Sequence, residues 1–316
     1  MLLLKLFLIM SLYVCTATTA PLKTLNDGNK IPSLGLGTYS DKQDIPKTRQ
    51  SVLWALEAGY RHIDTASIYN NEEYVGKGIA DAIAKGIVKR EDVFVTTKLW
   101  NDRHATEEVV KSLRESLKRL GLDYVDLYLG IMLQANGSLD YIDYLDTWKG
   151  MEEAKRLGLA KSIGVSNFNA EQIDRIIANS SVKPAVNEIE VHPTLTQVPL
   201  VEHCQKLDIA VMAYSPFGFL VNRNKDALPP KSDDPILTKI ATKYGKTTGQ
   251  VVLRYSVDRG LIPIPKSSKK ERIEQNINVF DFKLDKEEIN EINNFNKNAS
   301  VFGENEEWKS HPYYPF

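Results

Sequence analysis

The feature that most constrains the fold is an alternation of two kinds of segment along most of the chain. Short apolar runs rich in β-branched residues are each followed by a longer stretch with the apolar spacing of a helix. Eight strand candidates can be assigned, over 34–38, 62–65, 93–99, 125–129, 162–165, 185–191, 210–214 and 262–265. Repeated strand–helix units imply a parallel sheet with right-handed crossovers, and eight units suffice to close it. The sequence therefore predicts an α/β fold, a (β/α)8 TIM barrel.

The segments between the strand candidates carry helix signals of their own. Several begin near a capping residue, such as Thr106 with two glutamates in the first turn, and several end on glycine, such as Gly121 and Gly158. The predicted helical stretches are 47–58, 72–84, 106–120, 144–157, 170–177, 200–207 and 248–258.

One barrel domain is favoured over two domains or an open sheet. The 316 residues allow one large domain or two, but no linker, charge run or repeat divides them. An open doubly wound sheet should carry a G-x-G-x-x-G turn after its first strand, and Gly35-Leu-Gly37 is followed by Thr-Tyr-Ser. We therefore expect a single barrel, preceded by a β-hairpin over 23–32 whose Asp27-Gly28 turn lies at the barrel bottom.

The charge balance argues against a nucleic-acid partner. Lys and Arg total 40 and Asp and Glu total 41, so no overall field attracts an anionic polymer or membrane surface. With 42% hydrophobic and 26% charged residues, the composition is that of an ordinary globular protein. No surface stripe in the sequence indicates a protein partner.

The first residues predict a secretory signal peptide. Lys5 lies within an apolar run that continues to Val14 and then gives way to small residues. The run is shorter than the roughly 20 apolar residues of a membrane span, so a membrane anchor is the less favoured alternative. We therefore expect cleavage after Ala17, which leaves residues 18–316 as a secreted barrel with no stable membrane association.

Sequons and cysteines neither demand nor forbid secretion. Three Asn-x-Ser sequons occur, at Asn136, Asn179 and Asn298, and about two would arise by chance. Cys15 would leave with the signal peptide, and we expect the remaining Cys204 to be a buried thiol. A disulfide framework is therefore excluded.

Three polar residues near strand ends can form a proton-donating group. Asp64 closes the second strand, Tyr69 follows in its loop, and Lys98 lies near the end of the third strand. An ammonium lowers the pKa of a nearby phenol, and a carboxylate keeps a buried ammonium charged. The alternative is a purely structural Asp64–Lys98 ion pair with Tyr69 packed on a loop, and spacing alone does not decide between the two.

The motifs closely resemble those of the aldo-keto reductase family, in the same order and over essentially the whole chain after residue 17. The matching segments are Leu34-Gly-Leu-Gly-Thr38, Gly59-Tyr-Arg-His-Ile-Asp-Thr-Ala66, Lys98-Leu-Trp100, Ile163-Gly-Val-Ser-Asn-Phe168, Tyr214-Ser-Pro216 and Ile264-Pro-Lys-Ser267. The resemblance implies that Tyr69 is the general acid, that Lys98 and Asp64 tune it, and that a reduced nicotinamide donates hydride. Many relatives act as monomers, so the resemblance also implies a monomer.

The resemblance also implies a cofactor site for NADP(H). The residues implied to bind it are Ser166, Asn167, Glu188, Tyr214, Ser215, Lys266, Ser267, Arg272, Gln275 and Asn276. Lys266 and Arg272 supply cationic donors for an extra phosphate near a helix start, which favours NADP(H) over NAD(H). No histidine pair has metal-ligand spacing, so no metal site is predicted.

Two positions depart from the family pattern. Ile131 stands where the family has a histidine that orients the substrate carbonyl, and Ile cannot donate a hydrogen bond. Loss of one such donor can cost about 10²- to 10³-fold in rate. Glu188 replaces a glutamine, so it can accept from a carboxamide but cannot donate when ionised. His104, a conceivable replacement donor, is expected to be solvated in an exposed loop.

The expected pocket walls are mostly aromatic and apolar: Tyr39, Tyr69, Trp100, Ile131 and Met132, with 301–316 as a lid. Such a pocket favours a bulky hydrophobic ketone over a sugar. Among exported members of the family, the chain is most similar to insect haemolymph 3-dehydroecdysteroid 3β-reductases, which implies a steroid-like carbonyl substrate. Three alternatives stay open: a nucleotide- or steroid-binding protein with lost or weak catalysis, a reductase of aliphatic or aromatic aldehydes, and a C=C reductase.

Overall fold

The computed structural model describes residues 19–131, 142–221 and 228–302. The predicted signal peptide, Met132 and the sequon at Asn136 lie outside these residues, as does most of the expected lid.

Two short antiparallel strands, β1 (Leu22–Thr24) and β2 (Lys30–Pro32), form the predicted hairpin. Gly28, in the turn between them, has φ +87°, a left-handed conformation that glycine adopts without strain. Leu25 and Ile31 pack against the interior residues of the barrel strands. The hairpin therefore closes the bottom of the barrel, as predicted.

Eight parallel strands follow in chain order, and each is hydrogen-bonded to the next. They are β3 (Leu36–Gly37), β4 (His62–Asp64), β5 (Phe94–Leu99), β6 (Val125–Ile131), β7 (Ala160–Ser166), β8 (Val186–Glu190), β9 (Ala210–Tyr214) and β10 (Ile262–Pro263). The amide of Gly35 donates to Pro263 O and that of Gly37 to Pro265 O, each at 3.1 Å. These bonds join the first barrel strand to the last, so the (β/α)8 prediction is confirmed.

Strand ends differ from the predicted ones by one or two residues in most of the barrel strands, and two of these differences have a clear physical cause. β6 continues to Ile131 instead of stopping at 129, because its pairing with β7 extends to Ile131 opposite Ser166. β10 ends at Pro263 instead of 265, since prolines at 263 and 265 have no amide hydrogen for the ladder.

Helices pack around the outside of the strands. They are α1 (Thr48–Glu57), α2 (Glu72–Ala84), α3 (Thr106–Leu120), α4 (Tyr144–Arg156), α5 (Ala170–Asn179), α6 (Val198–Lys206), α7 (Pro235–Tyr244), α8 (Thr248–Asp258), α9 (Lys270–Ile277) and α10 (Lys286–Asn293). Helices α7, α9 and α10 lie outside the predicted helical stretches. In the described ranges, no helix is both long and apolar enough to span a membrane.

The apolar core has two main layers, inside the barrel and between strands and helices. Leu127, Leu129, Met212 and Ile262 belong to the inner cluster, with the hairpin residues at one end. The opposite end, where the strands finish, carries the polar residues described below. The fold therefore places the chemistry at the carboxyl ends of the strands.

Candidate active site

Asp64 and Lys98 come together at the strand ends as a buried ion pair. Asp64 is the last residue of β4 and Lys98 lies on the neighbouring strand β5. The Lys98 ammonium donates to Asp64 Oδ1 at 2.6 Å, to Oδ2 at 2.7 Å and to the backbone oxygen of Thr65 at 3.0 Å. Both side chains are 2% exposed. Burial lowers the pKa of Lys98, but the charges of Asp64, Glu188 and the Tyr69 phenolate, with the hydrogen bond to Asp64, together raise it more, so the ammonium is retained.

Tyr69 is held beside this pair by its own loop. It ends a short 3-10 helix, Ser67–Tyr69, and the Ser67 hydroxyl donates to the backbone oxygen of Lys98 at 3.1 Å. The next residue, Asn70, has φ +53°, which turns the chain sharply after the tyrosine. Tyr69 Oη lies 3.5 Å from Lys98 Nζ. The three residues singled out as a proton-donating group thus form one cluster.

Opposing electrostatic effects act on the pKa of the Tyr69 phenol. Burial raises the pKa of the Tyr69 phenol above its ordinary value, and the Lys98 ammonium lowers it. Asp64 and Glu188 raise it further, by repelling the phenolate. The ammonium is the group that favours proton release from Tyr69.

A second group of predicted residues lines the ends of β7, β8 and β9. The Ser166 hydroxyl donates to the backbone oxygen of Glu188 at 3.1 Å, and the Tyr214 hydroxyl donates to Asn167 Oδ1 at 3.0 Å. Asn167 and Ser215 have φ values of +62° and +47°. Backbone turns at these two residues bring the polar side chains to one wall of the barrel mouth.

Glu188 joins the two groups. Its Oε1 lies 3.3 Å from Lys98 Nζ, and the side chain is 2% exposed. Burial, and then the charge of Asp64, raise the pKa of Glu188 to about 8, although Lys98 opposes them. Among the described residues, its Oε2 has no hydrogen-bond partner. Sequence spacing did not indicate that this residue contacts the Lys98 ammonium, because β8 and β5 are not neighbours in the sheet.

The predicted phosphate-binding residues lie after β10 and on α9. Lys266 and Arg272 are exposed, and Lys266 Nζ lies 3.7 Å from Asp44 Oδ2. Ser267 accepts from the amide of Lys269 at 3.1 Å. Of the two adenine-side residues, Gln275 is exposed and Asn276 is 8% exposed. Asp44 was not singled out in the sequence, since nothing local shows that it meets Lys266.

Most of the predicted pocket residues surround Tyr69. The Tyr39 ring is 5.1 Å from that of Tyr69 and is 57% exposed. Trp100 is half-buried directly after β5, and Ile131, the last residue of β6, is 7% exposed. Phe302, predicted only as part of the lid, lies with its ring 5.9 Å from that of Tyr214.

The expectation for His104 is wrong. Its imidazole is 3% exposed, because the loop after β5 folds inward and Thr147 donates to the His104 backbone oxygen at 2.8 Å. His104 Nε2 lies 3.1 Å from the backbone oxygen of Ile131. The histidine therefore contacts the main chain at the position where the family pattern has its own histidine.

Sequence reasoning missed Glu190, which fixes the start of the C-terminal segment. Glu190 accepts hydrogen bonds from the Ser300 hydroxyl at 2.5 Å, the Val301 amide at 2.7 Å and His192 Nε2 at 2.9 Å. Ser300 and Val301 are more than a hundred residues away from Glu190 along the chain, so no local signal could reveal these two contacts. In the described ranges, no group of acidic, histidine or cysteine side chains could hold a metal ion.

The structure thus combines a closed (β/α)8 barrel with a buried Asp64–Lys98–Tyr69 cluster at the carboxyl ends of its strands, where barrel enzymes carry their active sites. Residues 33–297 match the model of the aldo/keto reductase family. The chain belongs to this family and is an oxidoreductase, so the predictions of family and enzyme class are confirmed.

Similar proteins support this assignment along the whole length. The chain is 59% identical to aldo-keto reductase AKR2E4 of Bombyx mori, over 95% of this chain and 99% of that one. It is 42% identical to estradiol 17 beta-dehydrogenase 5 of Mus musculus, over 92% of this chain and 96% of that one.

Solved structures show the same fold. The crystal structure of the Bombyx mori AKR2E4 protein in complex with NADP has a TM-score of 0.92 at 58% identity, covering 95% of this chain and all of that one. The aldo-keto reductase AKR2E5, complexed with NADPH, has a TM-score of 0.91 at 42% identity, covering 95% and 94%.

Proposed function

We propose that this protein is an NADPH-dependent carbonyl reductase that converts a bulky hydrophobic ketone, such as a 3-dehydroecdysteroid, to its alcohol. The observation that carries the proposal is the Lys98 ammonium, buried against Asp64 and 3.5 Å from the Tyr69 hydroxyl. Tyr69 is the general acid, and Asp64 keeps Lys98 charged so that Lys98 favours proton release from Tyr69.

The cofactor is NADP(H), as expected for the family and as bound by two similar proteins. The residues fit such a ligand at both ends. At one end, Glu188 carries a buried oxygen without a partner among the described residues, beside Tyr214 and Asn167. At the other end, Lys266 lies just before α9 and Arg272 lies in its first turn. The N-cap residue of this helix makes no side-chain capping bond. When bound, the reduced nicotinamide supplies the hydride.

Ser166, Asn167 and Glu188 would hold the carboxamide, and Tyr214 would stack against the nicotinamide ring. Lys266, Ser267 and Arg272 would bind the phosphate that distinguishes NADPH from NADH. The remaining predicted contacts are Ser215 beside the ring and Gln275 and Asn276 toward the adenine.

The barrel mouth supports a hydrophobic substrate. Large apolar side chains are exposed after strands β3, β4 and β9, namely Tyr39 at 57%, Ile68 at 37% and Val221 at 61%, and in the C-terminal segment after α10, namely Phe302 at 60%. Exposed apolar groups of this size around a site indicate a partner with an apolar surface. The side chain of Ile131, at the end of β6, adds no hydrogen-bonding group to the barrel mouth, and one similar protein bears the name of an estradiol dehydrogenase. These features favour a steroid-like ketone over a polar sugar or a small aldehyde.

The proposal is tested by NADPH oxidation with a panel of substrates: a 3-dehydroecdysteroid, an aliphatic aldehyde, an aromatic aldehyde and a steroid enone. We expect the highest kcat/KM with the ketosteroid, and product analysis should show a new alcohol with any C=C bond intact. Absence of turnover with every carbonyl compound would leave only a binding role.

The general acid is tested by comparing two neighbouring phenols. We expect Tyr69→Phe to lower kcat by about 10²- to 10⁴-fold, because it removes the proton donor. Tyr39→Phe is the matched control: its ring lies 5.1 Å from that of Tyr69, and its hydroxyl has no part in the cluster. A Tyr69→Phe enzyme that is as active as the Tyr39→Phe enzyme would exclude Tyr69 as the acid.

Secretion is part of the proposal. The supporting feature is the layout of residues 1–17, with one lysine in an apolar run that ends in small residues. Expression of the full chain in insect cells should yield a monomer in the medium whose N-terminal residue is Thr18. Retention of the intact chain in the membrane fraction would contradict it.

A further inference from the structure

Glu188 brings a second carboxyl group to the Lys98 ammonium. Asp64 already accepts two hydrogen bonds from Lys98, at 2.6 and 2.7 Å, and Glu188 Oε1 lies at 3.3 Å from the same nitrogen. All three side chains are 2% exposed. With both carboxyls ionised, the cluster would carry a buried net charge of −1.

A single proton on Glu188 removes that charge. Two buried carboxyl groups near each other share a proton, because they do not both ionise readily in a medium of low polarity. Asp64 holds the negative charge, since it makes the two short bonds to Lys98. Glu188 makes none this short, and burial and Asp64 raise its pKa to about 8. Among the described residues, the phenols of Tyr69 and Tyr214 also face it.

We propose that Glu188 is a positioning residue that stores a proton and returns it through Lys98 to Tyr69 after each carbonyl reduction. The inference rests on the proposed function, in which Tyr69 loses its proton to the reduced carbonyl oxygen. The path is short: Glu188 Oε1 is 3.3 Å from Lys98 Nζ, which is 3.5 Å from Tyr69 Oη.

The proton balance is as follows. The Tyr69 O–H bond breaks as the substrate oxygen gains the proton, which leaves a phenolate. Lys98 then gives one N–H proton to the phenolate, and Glu188 gives its carboxyl proton to Lys98. Tyr69 and Lys98 regain their starting states, Glu188 becomes a carboxylate, and solvent restores its proton when the site opens.

The first experiment separates the first turnover from later ones. In Glu188→Gln, Tyr69 still begins protonated, so we expect a fast first turnover followed by steady-state turnover that is slower by about tenfold or more. NADPH consumption should then show a burst of one equivalent per enzyme. Wild type should show the same burst only above about pH 8, where Glu188 has lost its proton.

Glu190→Gln is the matched control. Glu190 is the other buried carboxyl of β8, at 4% exposure, but it contacts His192 and Ser300 instead of Lys98. We expect this variant to keep the wild-type pH dependence of the burst. The proton relay is overturned if the first and the later turnovers of Glu188→Gln are slowed equally, or if none of them is slowed.

The second experiment needs neither cofactor nor substrate. A carboxyl with a raised pKa is protonated in the folded protein and ionised in the unfolded chain, so its contribution to stability falls between about pH 4.3 and its folded pKa. The Tm of Glu188→Gln minus that of wild type should therefore grow from pH 5 to pH 8 and then stay constant. A Tm difference that does not change with pH overturns the proposal that Glu188 stores a proton.

The two proposals fail in distinguishable ways. If wild type reduces no carbonyl compound, the proposed function fails, and the Tm series still decides whether Glu188 holds a proton. If wild type is active but Glu188→Gln shows neither the burst nor the pH-dependent Tm difference, only the relay fails.

Discussion

Replacement of Lys98 by methionine is the sharpest test of the electrostatic argument. The substitution keeps a long unbranched side chain but removes the ammonium that lies 3.5 Å from Tyr69 Oη. At an effective dielectric constant of about 20, unit charges at this distance interact by about 5 kcal/mol. Because one pKa unit corresponds to about 1.4 kcal/mol, loss of this interaction would raise the pKa of Tyr69 by roughly 3.5.

Only part of this rise in the pKa of Tyr69 affects the free energy of the transition state, because the proton is only partly transferred there. We therefore expect kcat for ketone reduction to fall by about 10²- to 10³-fold in Lys98→Met. The assay is NADPH oxidation at saturating ketone, on protein whose folded state is checked by circular dichroism. That check is needed because breaking a buried ion pair can cost about 3–5 kcal/mol of stability.

The chain offers a matched control at the other end of the barrel. Lys161 also pairs with a carboxylate, Asp126, at 3.0 Å and lies 4.1 Å from the ring centre of Tyr124. Lys161→Met removes a similar charge where the strands begin, so kcat should stay at the wild-type value. A folded Lys98→Met enzyme with kcat within about threefold of the Lys161→Met enzyme would refute the role assigned to the ammonium.

Three further predictions concern the pocket, the cofactor and the fold. Ile131→His should lower kcat/KM for the hydrophobic ketone, because it puts a polar ring at a 7% exposed position in an apolar wall. Steady-state kinetics test this, and a higher kcat/KM in the variant would indicate an active site that has lost catalytic activity. Arg272→Ala should raise the Kd for NADPH about tenfold or more and leave NADH binding nearly unchanged. Fluorescence titration measures both Kd values, and an equal rise for NADPH and NADH would contradict the prediction. Gly76→Ala should lower Tm by several degrees, because a Cβ there would lie 2.0 Å from Leu120 O. Calorimetry measures Tm, and an unchanged value would contradict the prediction.

Local patterns were sufficient for the order of the barrel strands and of most helices between them, although α7, α9 and α10 were not predicted. β-branched runs, capping residues and terminal glycines lie within a few positions of the structures that they specify, and all eight barrel strands lie where the sequence indicates. Strand ends were less certain, since the end of β6 at Ile131 depends on its pairing with β7. The hairpin turn followed from Asp27-Gly28 alone.

Contacts across the barrel could not be predicted in the same way. His104 reads as a loop residue in the sequence, yet the fold buries it against the main chain of Ile131. Glu190 binds Ser300, and Asp44 meets Lys266, through the return of distant segments. No spacing rule connects residues that are brought together only by closure of the barrel.

The sequence by itself determined the barrel, the family and the identities of the reactive groups, because these depend on patterns and motifs carried within short stretches. The tertiary structure decided their states of charge. Asp64 and Glu188 are both carboxyl groups at strand ends, and they differ because one makes two short bonds to Lys98 and the other makes none. Proton affinity depends on burial and on distances between charges, and these are fixed only when the strands close into a barrel.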